Sequence, residues 1–298
     1  MTISSTNSVV FLMGPTASGK TELALEMYNQ LDASLISVDS ALIYRGMDIG
    51  TAKPSKVTLE NYPHALIDIC EPDESFSVNQ FVSLAKQHIE SALNAGKLPI
   101  LVGGTSFYFN ALEHGLSKLP ESTKDSRKYF NDRLKNQGSE KLHSQLLKID
   151  PTSATRIHPN DSQRVTRALE VFHLSGVTLT ELQGNKNGNK LNHEVKKIIL
   201  MPDRSELHQR IEQRFIEMIK DGFLDEVETL RKNKNLNLDL ASMRCVGYRQ
   251  AWNYFDGLYS KQEMIEKAII ATRQLCKRQC TWLRNESNAL ILKETNID

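Results

Sequence analysis

Residues Gly14, Pro15, Thr16, Ala17, Ser18, Gly19, Lys20 and Thr21 fit the pattern G-x-x-x-x-G-K-[ST]. Glycines at both ends let the backbone curl so that its N–H groups converge. Converging donors at the start of a helix hold a phosphate dianion. Lys20 can reach a terminal phosphate, and the Thr21 hydroxyl can ligate Mg²⁺ or a phosphate oxygen. The loop alone leaves the phosphate ester open, since a nucleoside triphosphate or any diphosphate meets its demands. Two further candidates follow. Asp39 ends an apolar run, where a carboxylate can hold a metal or take a proton as general base. Gly103-Gly104-Thr105 ends another, with two residues that allow close backbone approach and then a hydroxyl.

These side chains need a scaffold that brings strand ends together. Five β-rich runs at 9–13, 35–38, 65–69, 99–102 and 195–201, without strict polar alternation, read as strands covered on both faces. Helical patterns at 21–30 and 79–95 lie between them, the second with Phe81, Leu84, Ala85, Ile89 and Leu93 on one face. Strand–helix alternation predicts an α/β fold, a parallel-sheet core covered by helices, with ligands beyond the carboxyl ends of the strands. The rhythm breaks after residue 116. Helical patterns at 126–136, 139–149 and 161–175 predict an α-helical insertion, and a Gly/Asn-rich loop at 184–189 closes it. Residues 1–117 are expected to open the core, 118–193 to form the insertion, and 194–298 to complete the core and add C-terminal helices.

The 298 residues carry 37 Lys+Arg against 36 Asp+Glu, a net charge of +1. That balance excludes bulk electrostatic binding of nucleic acid but leaves room for local basic patches. One such patch is the stretch 267–285, with Lys267, Arg273, Lys277, Arg278 and Arg284 and no acid. Trp282 and Leu283 read there as packing residues. The start of the chain has no basic-then-apolar leader, and no apolar run approaches the ~20 residues of a membrane span. Four cysteines in a chain of this length are expected to be reduced thiols, and they form no zinc pattern with histidine. A cytoplasmic chain without membrane contact is expected.

Taken together, six segments resemble the tRNA dimethylallyltransferase (tRNA isopentenyltransferase) family in its compact bacterial form. They are GPTASGKT (14–21), DSALIYRGMDIGTAKP (39–54), VGGTSFYFNAL (102–112), HPNDSQRVTRALEV (158–171), RCVGYRQAW (244–252) and TRQLCKRQCTWLR (272–284). The resemblance implies transfer of a dimethylallyl group from dimethylallyl diphosphate to N6 of adenine 37, beside the tRNA anticodon. The tRNAs implied are those reading codons that begin with U, and the products are N6-isopentenyladenosine and diphosphate. The cofactor implied is Mg²⁺, with Thr21 as its ligand, and a monomer is expected. No D-D-x-x-D run is present, so the phosphate loop must grip the leaving group.

The resemblance makes Asp39 the base and sets Thr105, Arg204 and Arg210 around the diphosphate, with Arg214 left as structural. It implies that Asp39, Ser40, Ala41, Leu42 and Thr105 meet the target base. It also implies tRNA contacts from Gln163, Arg164, Val165, Thr166 and Arg167, and from Arg244, Cys245, Val246, Gly247, Tyr248 and Arg249; Arg127, in a basic stretch with Lys124, Lys128, Arg133 and Lys135, is a further candidate for tRNA phosphates. A kinase or prenyltransferase acting on a free adenine nucleotide is the alternative; the insertion and the basic stretch have no purpose for so small a substrate.

Overall fold

The computed structural model describes residues 7–184 and 190–294, so most of the expected loop at 184–189 lies outside the described residues. Two compact units are present, one formed by 1–113 with 192–298 and the other by 114–191.

The first unit is built on strands β1 Ser8–Met13, β2 Ala33–Val38, β3 His64–Ala65, β4 Leu98–Gly103, β5 Glu194–Leu200 and β6 Ala289–Leu292. Their order across the sheet is β3-β2-β4-β1-β5-β6, and every neighbouring pair is parallel. Helices α1 Lys20–Gln30, α2 Lys56–Asn61, α3 Val78–Asn94 and α4 Ser106–His114 connect the first four strands and continue beyond them. The second unit holds α5 Lys124–Gln137, α6 Ser139–Ile149, α7 Pro151–Arg156, α8 Ser162–Ser175 and α9 Leu179–Gly184. Helices α10 Arg204–Lys220, α11 Phe223–Arg231, α12 Tyr248–Phe255 and α13 Lys261–Leu283 complete the first unit.

Local chemistry explains these elements. Every residue of β1 and β4 is buried, as a strand with helices over both faces requires. Ser77 and Gln80 form a capping box that starts α3, and the chain leaves it through Gly96 at φ 75°. Ser260 and Glu263 start α13 in the same way. One departure from the sequence reading is β3. The run 65–69 was expected to be a strand, yet only His64 and Ala65 pair with β2, because Leu66 and Asp68 take φ of 67° and 54°. The chain there turns under Lys53. Its ammonium, with a side chain only 3% exposed, bonds Asp68 Oδ1, Asp48 Oδ1 and the Tyr44 carbonyl.

One face of the sheet packs under α1, and a separate cluster forms between the 43–47 segment and the C-terminal helices. Val10, Leu12, Leu35, Ile100 and Val102 pack on one face with Leu23, Ala24 and Met27 of α1. A larger cluster joins Tyr44 and Met47 to α10, α11, α12 and α13 through Ile211, Phe215, Phe223, Tyr248 and Met264. The second unit has its own core of Phe130, Leu142, Leu146, Val165 and Leu169.

Gly103, the register partner of Val38, leaves no room for a side chain. A Cβ there would lie 2.0 Å from the Val38 carbonyl oxygen. Gly103→Ala is therefore expected to cost about 1–3 kcal/mol, the range for overpacking a tight core, read as a lower midpoint in urea unfolding. An unchanged midpoint would contradict the packing described.

Candidate active site

The phosphate loop leaves the buried end of β1 and turns sharply at Gly14, where a Cβ would sit 2.6 Å from Ser18 Oγ and 2.8 Å from the Leu200 carbonyl. Ala17 takes φ 64° and Gly19 φ 94°, which rolls the chain into α1. Left-handed backbone at a non-glycine residue such as Ala17 is strained, and such strain collects at ligand sites. The loop is tied from outside at Thr16. The Thr16 N–H donates to Gln279 Oε1 at 2.9 Å, and Gln279 Nε2 donates to the Gly104 carbonyl at 2.9 Å. Arg214 donates to Thr16 Oγ1 at 2.5 Å. One amide from α13 thus joins the phosphate loop to the turn that presents Thr105.

A cavity of about 510 Å³ opens beside these groups. It is lined by Thr16, Lys20, Thr21, Asp39, Ser40, Ala41, Leu42, Thr105, Arg244, Cys245 and Val246, all expected site residues. It is also lined by Ser37, His64, Arg214, Arg278 and Gln279, which the sequence reading did not place in the site.

Asp39 Oδ1 accepts the Ala41 N–H at 2.8 Å and the Leu42 N–H at 3.4 Å. Oδ2 has no donor among the described residues. Thr105 Oγ1 accepts the Ser40 N–H at 3.2 Å, so its own hydrogen is available to a ligand.

Burial pulls the Lys20 ammonium down to about 8, against the attraction of Asp39; Arg214 adds to the lowering. The Arg214 guanidinium is lowered too, again by burial first. Between about 8 and 10.5 the folded chain holds fewer protons at Lys20 than the unfolded chain does. This group's contribution to stability therefore rises with pH through that window, and at neutral pH its charge opposes folding. Two desolvated cations facing one carboxylate make a site that favours an anion.

Neither arginine expected at the diphosphate lines the cavity, whereas Arg214, read as structural, does. Arg210, one helical turn earlier, lies on the outer side of the loop, donates to the Ser18 carbonyl at 3.2 Å and pairs with Glu206. Arg204 is exposed at the first position of α10 and lines no cavity described here. The two positions 210 and 214 share one flank of the Leu207–Ile211–Phe215 stripe. Spacing alone could not say which turn of that flank meets the phosphate loop.

Other expected contacts also divide. Tyr248 is fully buried, its hydroxyl donating to Glu226 Oε1 at 2.5 Å, and Gly247 is buried beside it, so neither offers a side-chain surface to RNA. The same Glu226 carboxylate accepts the N–H groups of Asp48, Ile49 and Gly50 at 2.9, 2.7 and 3.2 Å. Tyr248 and Glu226 therefore hold the 48–50 segment of the cavity wall. Gly50 must be glycine, because a Cβ would lie 2.3 Å from the Phe223 ring. Arg249 is exposed and does not line the cavity.

In the second unit Arg127, Gln163 and Arg164 are exposed, but Val165 is 0% exposed within the helical core. Thr166 Oγ1 is bonded to the Ser162 carbonyl. Arg167 is held by Glu170 at 2.7 Å and by the Pro120 carbonyl, fixing the segment that leads into α5. Within the basic stretch Arg273 is paired with Glu212, and Lys267 sits 4.9 Å from the Tyr259 ring centre. Leu283 packs as expected, whereas Trp282 is 44% exposed.

Comparison with known proteins identifies the family. The sequence profile of the IPP transferase family matches residues 42–286. A tRNA dimethylallyltransferase of Ruthia magnifica subsp. Calyptogena magnifica is 62% identical over 98% of this chain and 96% of its own length. One from Vesicomyosocius okutanii subsp. Calyptogena okutanii is 60% identical over 100% and 97%. Among solved structures, a full-length tRNA isopentenylpyrophosphate transferase from Bacillus halodurans superposes with a TM-score of 0.70 at 36% identity, covering 96% of this chain and 89% of that one. A eukaryotic dimethylallyltransferase acting on tRNA gives 0.77 at 26% identity, covering 93% and 70%. The chain therefore belongs to the IPP transferase family and is a transferase of the tRNA-modifying, prenyl-transferring kind.

Proposed function

We propose that this chain transfers the dimethylallyl group of dimethylallyl diphosphate to N6 of adenine 37 in the anticodon loop of tRNAs reading codons that begin with U. The observation that carries this reading is one cavity holding two desolvated cations, Lys20 and Arg214, together with a carboxylate, Asp39, that keeps one oxygen free of protein donors. The cations match a diphosphate, and the carboxylate matches an amine that must lose a proton.

The N6 lone pair is delocalised into the adenine ring, so the amine attacks weakly. Asp39 Oδ2 accepts the N6 proton as nitrogen bonds to the allylic carbon. The carbon–oxygen bond breaks and its electron pair goes to the diphosphate. Lys20, Arg214, the Thr105 hydroxyl and the backbone donors of the phosphate loop stabilise that growing charge. A base stacked in an anticodon loop must first be extruded, at a cost of a few kcal/mol. Ser40, Ala41 and Leu42, with Arg244, Cys245 and Val246, line the same cavity and offer the surface that receives it. Exposed Arg127, Gln163 and Arg164 are proposed to meet the RNA from the second unit.

The donor set also fits a divalent cation. Mg²⁺ is held by few protein ligands plus substrate phosphates. Here the Thr21 hydroxyl lines the cavity, and the buried Ser37 hydroxyl nearby has no partner. Bound with the diphosphate, the cation would offset leaving-group charge. We place the protein in the cytoplasm: all four cysteines are free thiols, and no helix among the described residues is long and apolar enough to cross a membrane.

With labelled dimethylallyl diphosphate, label is expected to enter unmodified tRNA and not AMP; label entering AMP alone would contradict the reading. Asp39→Asn is expected to lower kcat by about 10²–10⁴-fold, the usual worth of a general base, while gel-shift affinity for tRNA is kept. Arg214→Gln is expected to cost about 10²-fold in kcat/KM for the diphosphate donor, whereas Arg204→Gln stays within about twofold of the parent. The reverse ranking of the two arginines would refute the placement of the diphosphate.

A further inference from the structure

Two polar groups on the cavity wall take no part in the transfer step itself. Ser37 is 3% exposed, and its Oγ has no hydrogen-bond partner. A hydroxyl buried in this way is costly to keep unless a ligand satisfies it. His64 is the second group. Its Nδ1 lies 2.7 Å from the Tyr62 carbonyl oxygen. A carbonyl only accepts, so Nδ1 carries the proton, and in the neutral ring Nε2 presents a lone pair.

Both groups sit on the same floor. Leu35 and Ser37 lie on one face of β2, Asp39 follows the strand's end, and His64 is the register partner of Leu35 on the neighbouring strand. Ser37 is the register partner of Val102, and all of these except Leu35 line the cavity with Thr21 at the start of α1. The cations Lys20 and Arg214 supply donors for phosphate oxygens. The lone pair of His64 Nε2 would repel such an oxygen. What an unoccupied acceptor can take is a water that points its hydrogens outward, and water bound to a cation does that. Mg²⁺ gives up its waters reluctantly and keeps several of them when it binds.

We propose that Ser37 and His64 form an outer seat for a hydrated divalent cation, accepting hydrogen bonds from the waters it carries while Thr21 and the diphosphate hold it directly. The proposal rests on the diphosphate-and-cation reading of the same cavity. It makes Ser37 and His64 positioning residues that act on the cation through its water.

Mn²⁺ is the probe, and inorganic pyrophosphate stands for the donor. Each protein is titrated into Mn²⁺ with pyrophosphate present, and the enzyme-bound Mn²⁺ is separated from the Mn²⁺–pyrophosphate complex by its electron paramagnetic resonance line shape. Ser37→Ala removes the orphan hydroxyl. His64→Asn keeps a donor where Nδ1 stood and removes Nε2. Each is expected to weaken Mn²⁺ binding by about 10–100-fold, the usual effect of losing a partner to a metal's ligands. Ser37→Ala is also expected to melt no lower than the parent, because the hydroxyl it removes bonds nothing in the protein. A purely structural serine would not weaken cation binding while leaving stability intact.

Mn²⁺ affinity within about twofold of the parent in both variants, while Thr21→Val weakens it, would overturn the seat and leave the cation reading standing. Unchanged affinity in Thr21→Val as well would remove the cation from the site, and the seat with it.

Discussion

The structure turns on two positive charges withdrawn from water at the carboxyl edge of a parallel sheet. Lys20 and Arg214 are both buried strongly enough to weaken their hold on a proton, and the compensating carboxylate in the cavity is Asp39. Two desolvated cations against one anion are unfavourable in isolation and become favourable when a phosphate dianion enters. The site is thus arranged around a charge that the substrate brings. In the proposed reaction the same charges stabilise the negative charge that grows on the diphosphate oxygen as the carbon–oxygen bond breaks.

Holding charges in place without their ligand requires a stiff surround, and the molecule supplies it with side-chain ties to loop backbone. Gln279 joins the phosphate loop to the Gly104 turn, and Thr105 from that turn accepts the N–H of Ser40 beside Asp39. The phosphate loop and Asp39, the proposed base, are therefore linked through three hydrogen bonds. A displacement of about 1 Å between reacting groups can cost 10²-fold in rate. On the far wall, the Glu226 carboxylate collects three backbone N–H groups and the Tyr248 hydroxyl, and Lys53 ties Asp48 to Asp68. Glycines appear where side chains press directly onto the backbone, at Gly50 and Gly104, where added Cβ atoms would lie 2.3 Å from the Phe223 ring and 2.5 Å from the Gln279 amide.

Much of this was legible in residue types. Unbroken apolar runs announced buried parallel strands, and the glycines and Lys20-Thr21 announced a phosphate loop at the end of the first. Asp39 and Thr105 were legible because they follow apolar runs that had to be strands. What stayed hidden depended on rotation and reach. Arg214 and Arg210 differ by one helical turn on one flank, and only the packing of α10 against the loop separates them. Tyr248 and Val165 sit inside motifs read as RNA contacts, yet each faces a core: a motif marks a segment as constrained without saying which side chains meet solvent. Gln279 was obscured by the basic residues around it. Strand β6 is apolar throughout, Ala289–Leu292, but four half-exposed residues directly after a long helical pattern are too short a run to mark a sixth strand.

The central claim is that Lys20 is held, before substrate arrives, in a state strained by burial and relieved by phosphate. Its side-chain pKa can be read directly by ¹⁵N-lysine NMR titration, with Lys20→Arg identifying the resonance. The value expected is about 8 in the free protein, rising to the ordinary lysine value of about 10.4 or above when pyrophosphate is bound. A Lys20 that titrates at the ordinary value in the free protein, or that does not move when pyrophosphate binds, would contradict the account.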